Sequence, residues 1–463
     1  MAGQLAARLA ERIRARLLPP GARLPSVREC ARQYGISPHT VVAAYDQLQG
    51  QGLVDARRQR GFFVRDWAAA QPPRAARTAA PGPRPVMADA STLIRGMSYR
   101  PSDKPQPGMG VLPPDWMETP FLPAALRRLV NGPALQEISL QYGDPAGDAA
   151  LRRSLAQRLA GIDIPAAPER ILTTVGATHA LDVVRCALLR AGDAVMVEEP
   201  GWAIEYARLE SLGMRILPVP RLAEGLDLDV VERYCQADKN LHPKLLISVS
   251  VLHNPTGYSL TPGNAHRLLQ LAARHDFHIV EDDSYGHLAP ERTTRLCALD
   301  GLQRTIYIGG FAKMIAPNWR VGFLAASEAL YPRLLETKLL ATLTTPALFE
   351  RALAACIDQG QLRRHGERLR GRLDAARSRA VRLALGAGCR FVSEPAGLFG
   401  WVDTGVDTEA LAQRLLDADY LIAPGALFYA RRPPSTFMRI NFAAAQEAAF
   451  WEAFARLRGG AGR

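Results

Sequence analysis

Lysine is scarce in this chain of 463 residues, because it supplies only five of the 57 basic side chains and arginine supplies the rest. Arginine keeps its charge in proteins and forms no imine, whereas a lysine that loses its proton can form one. The five lysines are Lys104, Lys239, Lys244, Lys313 and Lys338. The search for an amine that forms a Schiff base is therefore almost an elimination.

Long apolar runs and paired cysteines are also missing. No run of about 18 apolar residues occurs, so the sequence predicts no membrane span and no membrane partner. The N-terminus is amphipathic and arginine-rich but lacks the apolar region of a secretory signal. The six cysteines are scattered without a C-x-x-C pair, and cysteine and histidine form no metal-ligand cluster. We expect free thiols, a reducing cytoplasmic location and no metal site.

Positive charge is concentrated near the N-terminus. Residues 1–65 hold eleven arginines against four carboxylates, a net charge of +7 out of +12 for the chain. Such a concentrated positive field favours a polyanion as the partner.

The first 65 residues carry the start and stop signals of short helices, followed by a hairpin pattern. Ser26 and Glu29 predict a capping box, and Ser37 before Pro38 predicts the start of the next helix. Residues 53–64 then form a hairpin pattern with a basic tip. Two short helices joined by a glycine turn are typical of a helix-turn-helix, with the hairpin as a wing. A small helical module for protein contacts is the alternative.

Residues 20–64 resemble the GntR family of bacterial regulators. The resemblance is carried by Pro-Gly-x-Arg-Leu-Pro-Ser-x-Arg, Gly-x-Ser-x-x-Thr-Val, Ala-Tyr-x-x-Leu, Gly-Leu-Val and Gly-Phe-Phe-Val. It implies a winged helix-turn-helix in residues 1–65 that binds double-stranded operator DNA. The residues it implies at the DNA are Arg28, Ser37, His39, Thr40, Arg58, Arg60 and Gly61. The family often has arginine after the serine, where this chain has Pro38, so the operator sequence does not transfer.

Residues 66–92 are rich in alanine, proline and arginine. Such a composition cannot bury enough surface to fold alone. Proline makes it extended, with a reach of at most about 80 Å. We expect a linker long enough to place the head on a neighbouring subunit.

Residues 93–463 are predicted to form the second domain, with a large part at about 120–330 and a small C-terminal part at about 345–463. Short β-rich runs alternate with helical ones, which favours an α/β fold with a mostly parallel sheet and helices on both faces. The candidate strands cover 170–174, 194–198, 244–251, 277–281, 305–309 and 321–326.

Small and aromatic residues follow the first two candidate strands. Gly176, Ala177 and Thr178 open a helix whose N-terminus is suited to an anion. The alternative is an ordinary tight turn. Trp202 follows Pro200 and Gly201 and is placed to stack on a flat heterocycle, or simply to pack under a loop.

Polar residues follow the next strands. Asn254 is suited to donate to a phenolate oxygen, and Asp282 and Tyr285 fit a pyridine nitrogen and the oxygen across the ring. The alternative for acidic residues at a strand end is a helix N-cap, which we assign to Asp283.

Lys313 follows a buried-type strand at a glycine turn, where α/β sheets place ligands. Arg320 is placed to hold a phosphate as a planar fork. Arg439 sits in an apolar strand and needs an anion, for which an effector carboxylate would serve. The alternative for Lys313 alone is a surface lysine on a loop.

In this order, residues 105–463 resemble the fold-type I aminotransferases that use pyridoxal 5'-phosphate. The resemblance implies that Lys313 forms the Schiff base, Asp282 pairs with the ring nitrogen, and Tyr285 and Asn254 bond the phenolic oxygen. Trp202 would stack on the ring.

The resemblance also implies how the phosphate and the subunits are held. Gly176, Ala177, Thr178 and Arg320 would hold the phosphate, and Tyr142 would reach the phosphate of the partner subunit in a homodimer. The family usually has a serine one or three residues before the lysine, where this chain has Ala312 and Gly310. We expect cofactor binding to rest on Thr178 and Arg320.

A GntR-type head on an aminotransferase-like body resembles the MocR subfamily, which includes PdxR-type regulators of vitamin B6 metabolism. It implies a head-to-tail homodimer whose sensed ligand is pyridoxal phosphate, sometimes with an amino acid or amine. The alternatives are a working aminotransferase with an accessory head, and a regulator that has lost the cofactor.

Overall fold

The computed structural model describes residues 2–14, 17–57, 60–65, 104–237, 242–290 and 292–459. The predicted linker at 66–92 and Arg58 of the predicted DNA surface lie outside these residues. The head consists of helices α1 (Ala2–Arg14), α2 (Val27–Tyr34) and α3 (Pro38–Gly50) and strands β1 (Val54–Arg57) and β2 (Gly61–Val64).

Local capping sets the boundaries of the head's helices. The backbone N–H of Glu29 donates to Ser26 Oγ at 3.3 Å, and the N–H of Ser26 donates back to Glu29 Oε2 at 2.9 Å. The predicted capping box is thereby confirmed. Ser37 Oγ accepts from the N–H of Thr40 at 3.1 Å. Gly35 adopts φ 62°, which ends α2 and turns the chain into α3.

The body is built on an eight-stranded sheet in the order β3-β10-β9-β8-β7-β4-β5-β6. Its strands are β3 (Ile171–Thr174), β4 (Ala194–Glu199), β5 (Arg215–Leu222), β6 (Gly225–Leu226), β7 (Pro243–Ser248), β8 (His278–Asp282), β9 (Thr305–Gly310) and β10 (Gly322–Ala325). The pairs from β9 through β8, β7 and β4 to β5 are parallel. The predicted α/β fold with a mostly parallel sheet is confirmed.

Strand β10 runs antiparallel to both of its neighbours, β3 and β9. A parallel crossover needs a dozen or more residues, usually including a helix. Only residues 311–321 connect β9 to β10, so the chain reverses direction there. This short connection carries Lys313 and Arg320, and therefore both lie at the edge of the sheet where β9 ends.

The helices of the body cover the sheet and support a smaller second sheet. They are α4 (Pro114–Met117), α5 (Phe121–Val130), α6 (Ala134–Leu140), α7 (Ala149–Ala160), α8 (Ala177–Leu188), α9 (Ala203–Ser211), α10 (Leu228–Gln236), α11 (Pro262–His275), α12 (Leu296–Asp300), α13 (Tyr331–Thr342), α14 (Ala347–Asp358), α15 (Gln361–Gly386), α16 (Thr408–Asp417) and α17 (Ala448–Arg458). Among the helices described, none is long and apolar enough to cross a membrane.

The smaller sheet holds four strands in the order β11-β12-β14-β13. They are β11 (Arg390–Phe391), β12 (Phe399–Asp403), β13 (Ala423–Pro424) and β14 (Phe437–Asn441). Arg439 lies in the central strand β14, opposite Trp401 on one side and Ala423 on the other. The guanidinium of Arg439 points from this strand toward the large sheet, where it contacts Asn254.

Candidate functional site

A cavity of about 1170 Å³ lies at the carboxyl ends of β3, β4, β7, β8 and β9. Ten residues singled out in the sequence line it, namely Gly176, Ala177, Thr178, Trp202, Asn254, Asp282, Tyr285, Lys313, Arg320 and Arg439. Tyr142 does not line it and is 83% exposed. The cavity brings together residues that are spread over more than half of the chain.

Lys313 is the amine of the cavity. Its Nζ donates to the backbone oxygen of Gly110 at 2.7 Å and lies 5.8 Å from the ring centre of Tyr285. Burial, and then the positive charges of Arg439 and Arg320, lower the pKa of Lys313 to about 8, although Asp282 opposes them. At pH 7 about one Lys313 in ten is then neutral, against fewer than about one in a thousand for an ordinary lysine.

Lys338 has an equally low pKa but a different place. It is buried in α13 and donates to the backbone oxygen of Pro145 at 2.5 Å. Burial lowers the pKa of Lys338 to about 8, against the carboxylates of Glu350 and Asp144. It does not line the cavity. A low pKa therefore does not distinguish the two lysines. They differ in that Lys313 lines the cavity and Lys338 does not.

The N-terminus of α8 forms an anion cradle with Arg320. Gly176 precedes the helix at φ 80°, and the N–H groups of Ala177 and Thr178 form no hydrogen bond with a described residue. A Cβ on Gly176 would lie 2.5 Å from Arg320 Nη2, so the guanidinium occupies the space that glycine leaves. Free helix N–H groups beside an arginine fork suit a phosphate.

Asp282, Tyr285 and Asn254 converge on the cavity from β8 and from the loop after β7. The carboxylate of Asp282 accepts from the N–H of Ser284 at 3.0 Å, and burial raises the pKa of Asp282. Asn254 Nδ2 donates to the hydroxyl of Tyr285 at 3.4 Å, and burial raises the pKa of Tyr285. The carboxyl group of Asp282 and the phenol of Tyr285 thus line one cavity, where they suit opposite edges of a ring.

The interpretation of Asp283 as an N-cap is wrong. Its carboxylate accepts from Arg295 Nε at 2.8 Å and from the hydroxyl of Tyr307 at 2.8 Å, all among buried side chains. A buried carboxylate needs such partners, and neither is visible from the local sequence.

Arg439 is a buried cation, only 5% exposed, with which no carboxylate among the described residues forms an ion pair. Its guanidinium lies 4.5 Å from the ring centre of Phe399 and 5.1 Å from that of Phe428. It donates to Asn254 Oδ1 at 2.8 Å and to the backbone oxygen of Gly108 at 2.7 Å, while Nε has no partner in the described part of the chain. Burial lowers the pKa of Arg439 to about 10. Such a cation is suited to bind an anion.

A buried charge cluster fixes the loop that carries Asn254. Glu198 accepts from Arg221 at 2.6 Å and from Ser248 at 2.7 Å, and His253 Nε2 lies 2.8 Å from Glu198 Oε2. Burial would raise the pKa of Glu198, but Arg221 and then His253 outweigh it and lower the pKa to about 2. Sequence reasoning missed this cluster, because its members come from three separate segments, namely β4, β5, and the end of β7 with the loop after it.

The predicted DNA residues lie on the surface of the head. Arg28, Ser37, His39 and Arg60 are exposed, and Thr40 and Gly61 are partly buried. An additional arginine lies beside the wing, since Arg23 Nε is 3.4 Å from the position of a Cβ on Gly61. Arg23 belongs to the quoted Pro-Gly-x-Arg-Leu-Pro-Ser-x-Arg pattern, but only the β-bridge from Arg23 to Phe63 shows that it reaches the wing.

Comparison with known proteins agrees with both halves of this arrangement. Residues 119–457 match the family model described as aminotransferase class I and II, and residues 1–64 match that of the bacterial regulatory proteins of the gntR family. The chain is 30% identical over 387 residues to the probable rhizopine catabolism regulatory protein MocR of Rhizobium meliloti, covering 81% of this chain and 75% of that protein.

Two further proteins are similar over most of the chain or of the body. The uncharacterized HTH-type transcriptional regulator YdcR of Escherichia coli K12 is 29% identical over 95% of this chain and 94% of its own length. The solved structure of LysN, an alpha-aminoadipate aminotransferase of Thermus thermophilus complexed with N-(5'-phosphopyridoxyl)-L-leucine, has a TM-score of 0.71 at 26% identity. It covers 80% of this chain and 94% of LysN.

Proposed function

Because this chain belongs to the MocR-type regulators, with a GntR-family head fused to a body of the class I and II aminotransferase family, we propose that its body senses pyridoxal 5'-phosphate and an amino compound and thereby controls how its head binds operator DNA. The proposed division is a head at residues 1–65, a linker at 66–92 and a body at 93–463.

One observation carries this proposal: a lysine with a lowered pKa shares a cavity with groups suited to each part of the cofactor. Lys313, with a pKa of about 8, lies in a cavity with Asp282, Tyr285 and Arg320. The cradle suits a phosphate, because Gly176 leaves space for the Arg320 guanidinium beside the free N–H groups at the start of α8. The residues present therefore fit the cofactor without the usual serine near the lysine.

Each side chain has a proposed task when the cofactor is bound. The cofactor supplies an aldehyde for the lysine amine and a ring that withdraws electrons. Lys313 would bond the aldehyde carbon, Asp282 would hold a proton on the ring nitrogen, and Tyr285 and Asn254 would donate to the phenolic oxygen. Trp202, at the N-terminus of α9 and in the lining of the cavity, would stack on the ring.

The remaining groups would bind anions. The N–H groups after Gly176, the Thr178 hydroxyl and Arg320 would hold the phosphate. Arg439 would bind the carboxylate of an effector, which would give this buried cation an ion-pair partner. An amino acid therefore fits the site better than a simple amine.

We also propose a homodimer. Tyr142 is 83% exposed, and Leu140 and Leu340 are exposed by 79% and 81%, although large apolar side chains are usually covered. A second copy that covers Tyr142 would bring this side chain to the partner's phosphate, as the family resemblance implies. The predicted crossing of each head onto the opposite subunit stays a prediction, and in this chain the head contacts residues 416–419 of its own body.

Borohydride reduction of protein mixed with pyridoxal phosphate tests the cofactor assignment. The adduct is expected on the peptide that contains Lys313 and not on the one that contains Lys338, although both amines have a pKa of about 8. Lys313→Ala should abolish the absorbance of the imine, and Lys338→Ala should retain it. An adduct on Lys338, or no adduct at all, would refute the assignment.

A working aminotransferase is the second candidate, because Lys313, Asp282, Tyr285 and Arg320 share one cavity and LysN is an aminotransferase of the same fold. A steady-state transaminase assay beside an operator-binding assay separates the two. Turnover near ~10 s⁻¹ without salt-dependent DNA affinity would favour the enzyme.

A further inference from the structure

One short turn connects the head to the cavity. Residues 416–421, which we call the joint, include the end of α16 and the chain that leads toward β13. On the head side, Arg12 is only 2% exposed and donates to the backbone oxygen of Leu416 at 3.2 Å. Gln33 donates to the backbone oxygen of Asp417 at 2.8 Å.

Charge pairing strengthens the contact between head and joint. Arg12 Nη2 lies 3.6 Å from Asp417 Oδ1, and Arg8 forms an ion pair with Asp419. Removing Asp417 would leave the buried guanidinium of Arg12 without its ion pair. The docked position of the head therefore depends on the geometry of the joint.

The same joint holds the segment that enters the cavity. We call residues 104–112 the strap. Gln106 donates to the backbone oxygen of Asp419 at 3.1 Å and accepts from the N–H of Leu421 at 2.6 Å. The N–H of Gly108 donates to the backbone oxygen of Leu421 at 2.8 Å. The first residues of the strap are therefore hydrogen-bonded to the joint.

The other end of the strap accepts hydrogen bonds from the two cations of the cavity, Arg439 and Lys313. The backbone oxygen of Gly108 accepts from Arg439 at 2.7 Å, and that of Gly110 accepts from Lys313 at 2.7 Å. An effector carboxylate would compete with the first contact, because its bond to arginine is charge-assisted. Condensation of the Lys313 amine with the cofactor aldehyde, which releases water, would remove the ammonium that makes the second. A reduced adduct has no aldehyde and would act through Arg439 alone.

We propose that the strap and the joint transmit occupancy of Arg439 and Lys313 to the head, so that ligand binding loosens the docking of α1 and α2 on the joint. This inference rests on the proposed function. A ligand shifts an equilibrium only by its differential affinity for the two states. The strap supplies this difference in affinity, because its backbone oxygens and the ligand compete for the donors Arg439 and Lys313.

The test compares two reduced cofactor adducts on the full-length protein. N-(5'-phosphopyridoxyl)-L-leucine carries a carboxylate for Arg439, and N-(5'-phosphopyridoxyl)-3-methylbutylamine is its match without one. Amide hydrogen exchange is measured in the strap, α1 and α2 without DNA, and operator affinity is measured at fixed salt. The leucine adduct should speed exchange in all three segments and change operator affinity by roughly 5- to 150-fold, the usual range of allosteric coupling. The amine adduct should do so less.

Variants on both sides of the joint locate the coupling. Arg12→Ala on the head and Gln106→Ala on the strap should each bind the leucine adduct with little further change in operator affinity. Arg14→Ala, whose guanidinium bonds Gln51 within the head, and Gln157→Ala, on the exposed face of α7, are the controls and should respond like the wild type.

The outcomes separate the two proposals. If the adduct fails to bind the wild type, seen directly by absorbance, the cofactor site is refuted and the joint with it. If the adduct binds and speeds exchange in the strap and head while operator affinity stays unchanged, the proposed regulation of DNA binding is refuted and the joint stands. If the adduct binds without changing exchange in the strap or head, transmission through the joint is refuted and the cofactor site stands. The same holds if both variants respond like the wild type.

Discussion

Gly176 and Arg320 share one small space, since a Cβ on Gly176 would lie 2.5 Å from Arg320 Nη2. Gly176 also adopts φ 80°, which disfavours any other residue. The glycine thus lets the arginine reach the N-terminus of α8. The phosphate cradle depends on both residues together.

Gly176→Ala should therefore weaken binding of pyridoxal phosphate. Displacing Arg320 would remove a charged hydrogen bond, which is worth about 1.5–3 kcal/mol and corresponds to roughly 10- to 150-fold in Kd. Gly192→Ala is the control, because Gly192 adopts φ 91° with nothing within 4 Å of the added Cβ. It carries the same backbone strain and should leave Kd unchanged. Equal Kd values for the two variants, measured by absorbance titration, would contradict the cradle.

The rate at which pyridoxal phosphate forms an imine should rise with pH through about 8 and then level off, since the pKa of Lys313 is about 8. Below that pKa the neutral fraction increases about tenfold per pH unit. Arg439→Met removes a positive charge that lowers the pKa of Lys313, so the midpoint should move to higher pH. Arg274→Met, on the surface of α11, should not move it. A wild-type midpoint near that of an ordinary lysine would exclude the lowered pKa.

Glu198→Gln should destabilise the body, because it leaves Arg221 buried without its anion. Breaking a buried pair costs about 3–5 kcal/mol. The folded pKa of Glu198 is about 2, below its ordinary 4.5. Its stabilisation is therefore fully present above the ordinary pKa and is lost as pH falls from there toward 2. The difference between variant and wild type should shrink over that window.

Urea unfolding at neutral and acidic pH measures this difference. Glu224→Gln is the matched control, since Glu224 is exposed and its loss should cost little. An equally small loss of stability in both variants would show that the cluster around Glu198 does not hold the loop.

Arg28→Ala should weaken operator binding and reduce the slope of log K against log salt by about one, if the exposed Arg28 neutralises one phosphate. Arg274→Ala removes the same charge from the body, where it pairs with Glu232, and should leave the slope unchanged. The measurement is a salt titration of operator affinity for the full-length protein. Equal slopes for both variants would place the DNA elsewhere.

The sequence by itself determined the local structure and the residue types of the site. The capping box at Ser26 and Glu29, the start of α3 at Ser37 and the strands before Asn254, Asp282 and Lys313 followed from neighbouring residues alone. Such signals are short in range, because a cap or a turn is completed within a few residues. Motif order along the chain then indicated which polar residues share one edge of the sheet.

Only the tertiary structure decided what those residues touch. Lys313 finds its acceptor 203 residues away at Gly110, and Arg8 finds Asp419 at a separation of 411. The partners of Glu198 and the low pKa of Lys338 likewise arise from separate segments that are buried together. The physical reason is that burial and Coulomb interactions depend on distance through space, and the local sequence does not specify that distance.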